Sequence, residues 1–163
     1  MEPEPSRSPT FACDAMLGGL ARWLRAAGYD ASWHHGIEDR DLVRLAAEQG
    51  RTLLTSDTRI FEFGVIRDGV QPALFVPVDL RPREQLAFVL CNLGLPLLKP
   101  RCMACGGELV EKTREEVAGR VPSRTHAWLD RFWECGQCRK VFWHGTHWDK
   151  IEKALAAAVA KRG

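Results

Sequence analysis

At 163 residues the chain has room for one ordinary domain plus a small appended module, and 45% hydrophobic with 27% charged residues fits a chain with a real core. The net charge of +2 divides unevenly: residues 1–100 carry 11 basic against 13 acidic side chains, and residues 101–163 carry 12 against 8. No apolar run approaches the ~18 residues that span a bilayer, and Met1–Thr10, acidic and rich in Pro and Ser, looks like a frayed tail rather than a secretory signal.

Phe11–Asp14 reads as a very short buried strand, followed by a helix from Met16 to Ala27 that Gly28 ends. Leu17, Leu20, Ala21 and Leu24 form its apolar face, which leaves Arg22 and Arg25 expected on the exposed side. Tyr29–Trp33 is a second strand. Asp39 is placed to cap a helix buried through Leu42, Val43, Leu45 and Ala46, and Gly50 stops it. Arg51–Thr55 is a strand running into Ser56 and Asp57, and Pro72–Val78 is another. Pro82 opens a third amphipathic helix carrying Leu86, Val89, Leu90 and Leu93. This alternation predicts an α/β layer with a mostly parallel sheet flanked by helices over residues 11–94. Residues 95–100 are the expected linker, 101–148 the appended module, and 149–163 a terminal helix capped by Asp149.

Two Cys-x-x-Cys pairs, Cys102/Cys105 and Cys135/Cys138, each set two thiolates close together in a tight turn. Two such turns close a tetrahedron around one Zn²⁺, and four sulfurs leave no open position, so the metal is expected to be structural. The long interval from 106 to 134 implies an inserted hairpin or loop. A redox dithiol would ordinarily use one pair beside a βαβ pattern. Cys13 and Cys91 stand apart and read as small core residues. Thiols held by metal rather than oxidised favour a reducing, cytoplasmic setting.

The catalytic chemistry is then sought upstream. In a parallel α/β sheet, ligands gather at the carboxyl ends of the strands. Asp14 ends the first strand, Asp57 follows the third, and Asp39 starts the helix that feeds it, with Asp41 as the alternative to Asp39. Each alone fits a turn or cap; together they form a candidate Mg²⁺ or Mn²⁺ site. Clustered carboxylates repel one another, and a hard divalent cation removes that penalty while activating water at a phosphodiester.

The segments Phe11–Asp30, Asp39–Ala46 and Gly50–Asp57, with the cysteine pairs and Phe142–Trp148, resemble the PIN-like "Mut-seven C-terminal" ribonuclease domain over residues 11–150. The resemblance implies a PIN-like fold, a metal-dependent ribonuclease activity, and a fused zinc ribbon. It maps the acidic positions onto Asp14, Asp39 and Asp57, with Glu38 and Asp79 as guesses for a fourth. The family often has a basic residue where Ser56 stands. It implies endonucleolytic cleavage of single-stranded RNA.

Arg22, Arg25 and Arg59 are candidate phosphate contacts, with a solvated helix face the plainer reading of the first two; Arg51, which also brackets the third strand, is equally ambiguous. His34 and His35 lie near the acidic edge. In the ribbon, Trp128, Trp133, Trp143 and Trp148 fall beside Arg101, Arg131, Arg139 and Lys140, a composition suited to unpaired bases or to filling a small core. Trp143 and Trp148 are the preferred packing residues, and His144 and His147 are surface or RNA-contacting positions. The expectation is a metal-dependent ribonuclease whose ribbon binds RNA or a protein partner. The rivals are a non-catalytic RNA- or ribosome-binding module with a degenerate site, and a protein-interaction adaptor.

Overall fold

The computed structural model describes residues 7–160, without the side chains of Thr146 and His147. The tail expected over residues 1–10 lies outside the described residues as far as residue 6, as do the expected contacts of His147 and the chain beyond residue 160.

Four strands, β1 (Phe11–Cys13), β2 (Ala31–Trp33), β3 (Thr52–Thr55) and β4 (Ala73–Phe75), pair in parallel in the order β2-β1-β3-β4. Ala12 pairs with Ser32 on one side and Leu53 on the other. Period-2 alternation sends successive residues to opposite faces, so both faces are covered. Phe11, Cys13 and Leu54 join a core shared with α1 (Gly18–Ala26), α4 (Pro82–Leu93) and α6 (Thr146–Ala160). Ala12 and Leu53 pack instead with α2 (Asp39–Gln49), the 3-10 turn Thr58–Glu62 and α3 (Gly64–Arg67).

Several elements are shorter than the sequence pattern suggests. The first helix begins as a 3-10 turn, Ala15–Leu17, capped by the Asp14 carboxylate, before α1 proper. The second strand starts only at Ala31, because the Tyr29 N–H still closes α1 on the Leu24 carbonyl (3.0 Å). Pro72 and Pro77 lack the N–H a ladder needs, and β4 is confined between them. Glu38 is the N-cap of α2, making Asp39 its first helical residue rather than its cap, and Gly50 ends the helix at φ +62°. Cys13 is core, but Cys91 lies on the exposed side of α4.

The appended module is an antiparallel sheet, β5 (Leu109–Lys112), β6 (Phe132–Cys135) and β7 (Val141–Trp143), in that order. The interval between β5 and β6 holds a turn and a short helix, α5 (Ser123–Trp128). Val117, Val121 and Phe132 form a small core against which Trp143 packs. The buried carboxylate of Glu134 is ion-paired with Arg120 and Arg139, and the Arg120 hydrogen bond holds it below the usual carboxylate range. The terminal helix starts at Thr146, which leaves Asp149 in its first turn. Its Ile151, Leu155 and Ala158 return to the core of the parallel sheet, and Trp148 packs there too.

Arg25 overturns the expectation of an exposed phosphate contact: it is only 7% exposed. Positions 17, 21 and 25 share one helical face at i, i+4, i+8, so Arg25 follows Leu17 and Ala21 inward. Its Nε donates to the Ala31 carbonyl (2.9 Å), and Nη1 donates to the carbonyls of Met103 (3.0 Å) and Ala104 (3.2 Å). Alongside, the Leu98 and Arg101 N–H groups donate to the Ala27 and Arg25 carbonyls, both at 2.9 Å. Gly28, at φ +99°, lets the chain pass this closely, since a Cβ there would sit 2.5 Å from the Leu98 Cβ.

Removing a donor shared by three inward-facing carbonyls has a definite cost. Arg25→Ala is expected to lose about 3 kcal/mol in urea unfolding, and Arg25→Lys, which cannot span all three acceptors, an intermediate amount. A loss below about 0.5 kcal/mol, the range of an ordinary surface change, would contradict the role given to this side chain.

Candidate functional site

The strand order places β1 and β3 side by side while the chain leaves them in opposite directions, toward β2 and toward β4. Such a switch point opens a crevice at the carboxyl ends of the strands, and Asp14 and Asp57 stand at its two sides. Asp14 is 5% exposed. Its Oδ1 accepts the Met16 N–H (2.8 Å), and its Oδ2 accepts the Thr55 hydroxyl (2.7 Å) and the Ser56 N–H (2.8 Å). The same Thr55 oxygen accepts the Asp57 N–H at 2.9 Å. One buried hydroxyl therefore fixes the spacing between the two acidic positions. The Ser56 hydroxyl donates to the Val76 carbonyl (2.7 Å), tying the end of β3 to β4.

Asp57 is held by its neighbour. Arg59 donates from its backbone N–H (2.9 Å) and Nε (3.2 Å) to Oδ1, and from Nη2 (2.9 Å) to Oδ2. These bonds lower the Asp57 carboxyl from its ordinary value and raise the Arg59 guanidinium. Arg59, expected as a phosphate contact, lies at the crevice with its side chain 78% exposed.

Asp39 enters from the start of α2. Burial raises its carboxyl above the usual range, the negative charge of Asp57 adds to this, Arg59 partly opposes it, and Asp14 and Glu38 push it further up. Asp57, Asp14 and Glu38 therefore all act on Asp39, but among the described residues the four cysteines are the one group of three or more ligating side chains at metal-binding distance, so the three carboxylates are not drawn that close together. Asp41 is exposed and pairs with Arg44 (3.7 Å). Asp79, the other guess for a fourth acid, is exposed.

On the other side of β1, β2 delivers His34 and His35, both exposed. The Trp33 indole donates to the Ala15 carbonyl (3.0 Å) and closes that flank of the turn carrying Asp14. Arg22 is exposed on α1. Arg51 is structural, donating to the Phe11 (3.2 Å) and Asp30 (3.3 Å) carbonyls and pairing with the Asp30 carboxylate (3.1 Å).

The four cysteines gather at the far end of α1. Their ligand atoms all lie within 4.8 Å of one another, with Cys102 and Cys138 sulfurs 3.7 Å apart and Cys105 and Cys135 sulfurs 3.4 Å apart. A tetrahedral site with Zn–S of about 2.3 Å needs sulfurs ~3.8 Å apart, so the set fits a metal and is consistent with zinc. Both turns aim backbone N–H groups at sulfur: Gly107 at Cys105 (3.4 Å), and Gln137 and Cys138 at Cys135 (both 3.4 Å). Burial pushes the Cys102 thiol up to about 12. At Cys135 burial acts the same way, but the Cys138 and Gln137 N–H bonds and the neighbouring thiols outweigh it and bring it down to about 7.

Three of the proposed acidic positions were legible as strand and helix ends; Thr55 was not singled out. Its signal is the Thr-Ser-Asp order at a strand end, which puts a hydroxyl inward between two flanking carboxylates.

The family model of the Mut7-C RNAse domain matches residues 9–155, and the chain belongs to that family. A human protein, "Exonuclease mut-7 homolog", is 32% identical over 118 residues, covering 69% of this chain and 13% of the human protein's own length. No solved structure matches. Among the described residues, no helix is long and apolar enough to cross a membrane.

Thr55→Val keeps the shape but strands the Asp57 N–H and takes a donor from Asp14. It is expected to cost about 1–3 kcal/mol, with Thr55→Ser close to wild type; equal stability of all three proteins in denaturant unfolding would rule out the hydroxyl bridge.

Proposed function

We propose that this protein is a metal-dependent ribonuclease whose reacting centre is the crevice formed by Asp14, Asp39 and Asp57, with zinc held by Cys102, Cys105, Cys135 and Cys138 as a structural ion. The observation that carries the reading is the condition of Asp39. Its carboxyl is pushed up by burial and by the charges of Asp57, Asp14 and Glu38. Burial is the larger cause and the neighbouring carboxylates add to it; a divalent cation would offset both, and hard carboxylate oxygens suit Mg²⁺ or Mn²⁺. When bound, such an ion supplies positive charge to a phosphoryl oxygen and activates water for hydrolysis.

The chain's own residues prepare the site. Thr55, Ser56 and Met16 hold Asp14 in one orientation, so little is lost in ordering it on binding. Arg59 neutralises Asp57 in the resting protein. Exposed, it can pass to a backbone phosphate when a cation takes its place. Arg22 is available to a flanking phosphate on the same helix as Asp14. His34, His35 and Met16, all exposed, leave the edge open enough for an internal stretch of single-stranded RNA, which supports endonucleolytic cleavage. Thiols held by zinc rather than oxidised to disulfides suit a reducing compartment, and we place the protein in the cytoplasm.

One observation favours a second reading, a non-catalytic RNA-binding module: Arg59 already saturates both oxygens of Asp57. The two readings separate in one assay of labelled single-stranded and structured RNAs with Mn²⁺ or Mg²⁺. The nuclease reading expects metal-dependent cleavage that falls by roughly 100-fold or more in Asp14→Asn and in Asp57→Asn, the several kcal/mol a bound ion contributes. RNA binding without cleavage in the wild type would select the second reading. Cleavage unchanged in both variants would show that the crevice is not the reacting centre.

A further inference from the structure

The ribbon meets the terminal helix across a half-open cleft of about 270 Å³ that the crevice chemistry does not use. One wall is a run of rings: the His144 imidazole lies 5.7 Å from the Trp133 ring and 5.5 Å from the Trp148 ring. The Arg131 guanidinium stacks over Trp133 at 5.2 Å. Lys99 and Arg101 also line the cleft, the Arg101 Nε donating to the Gly106 carbonyl (2.7 Å). Against these cations stand Glu152, which accepts the Trp148 indole N–H (3.0 Å) and faces His144 (3.3 Å), and Glu111, ion-paired to Arg131 (3.1 Å).

We propose that this cleft binds an unpaired base of single-stranded RNA, as an anchor remote from the acidic crevice. The inference rests on RNA being the ligand of the protein and names the place where the strand is held. An apolar slot with tryptophan rings in its lining suits the π-face of any base, and the cations that also line it suit the phosphates on either side. The volume is below the ~300 Å³ of sites that take whole drug-sized ligands, the scale of one planar ring system rather than a peptide helix. Trp133 fits a stacking role better than Trp143, which is committed to the small core.

The distance from the crevice follows from the fold. Lys99–Met103 passes the carboxyl end of α1, where the Arg101 N–H reaches the Arg25 carbonyl. Asp14 caps the other end of that helical segment. Three residues of 3-10 turn and nine of α-helix separate them, which is about 20 Å. A strand engaging both places must be several nucleotides long, and the cleft then raises the local concentration of RNA at the crevice.

The test is binding of a fluorescent oligouridylate of about 12 nucleotides to the full-length, zinc-loaded Asp14→Asn protein, so that cleavage plays no part. Trp133→Ala is expected to weaken binding about tenfold, the loss of one stacked base. Lys99→Glu/Arg131→Glu, two surface changes that do not disturb the small core, is expected to weaken it and to reduce the salt dependence by about two charges. Trp128→Ala, an equally aromatic change at a side chain 81% exposed outside the cleft, is expected to have no effect. Unchanged affinity in both cleft variants, an equal loss in Trp128→Ala, or preference for a blunt duplex would overturn the proposal. Absence of RNA binding by the parent protein would overturn it as well and give the cleft to a protein partner. The two readings fail separately: affinity lost in Trp133→Ala with no cleavage by the wild type supports the anchor and removes the nuclease, whereas cleavage with unchanged affinity does the reverse.

Discussion

The guanidinium of Arg25 sits where three parts of the chain must agree, and it can be there only because all three supply an acceptor. Burial works against its charge. The carbonyls of Ala31, Met103 and Ala104 offset that cost, and its place in the last turn of α1 puts it at the negative end of the helix dipole. Two of the acceptors belong to the turn between Cys102 and Cys105, so the arginine binds the parallel-sheet body to the cysteine module. A loaded four-thiolate zinc site carries about two negative charges, and a cation at this distance compensates part of them. The terminal helix makes a second tie, burying Ile151 and Leu155 in the core of the body after the chain has left the ribbon. With a strap on each side, the ribbon is not a bead on a string.

This arrangement assigns α1 two ends with different chemistry. Its amino end is prefaced by Asp14 and the acidic crevice; its carboxyl end is seated on the cysteine turn. At the crevice, the charges of Asp57 and Asp14 act on Asp39. The fold holds these two with directed bonds, namely Thr55 between Asp14 and Asp57, and Arg59 across Asp57. Asp39 is compensated only in part, by Arg59. On the proposed reading a cation would take the place of Arg59 at Asp57, while the bonds that orient Asp14 stay as they are.

Much of this was legible in the sequence because it rests on local signals. Spacing gave the cysteine cluster; Gly28, Gly50 and Pro82 marked element ends; Asp14 and Asp57 followed from their place after short apolar runs. What was not legible came from long-range packing. Arg25 looks like a surface residue until the Met103 and Ala104 carbonyls arrive from a segment far along the chain, although its i, i+4, i+8 relation to Leu17 and Ala21 was a usable hint. Residue type alone suggests a core position for Cys91, but the turn of α4 leaves it outside. The return of α6 to the first core could not be read from its amphipathic pattern, which says that a face is buried but not against what.

The account depends most on a divalent cation binding among Asp14, Asp39 and Asp57. Crystals of the zinc-loaded protein soaked in Mn²⁺, with anomalous scattering recorded at the manganese edge, address this directly. The account predicts a manganese peak within coordinating distance of Asp14 and Asp57, with the Arg59 side chain turned away from Asp57 and the cysteine site still filled by zinc. Manganese absent from the crevice, with Arg59 still paired to Asp57, would contradict it.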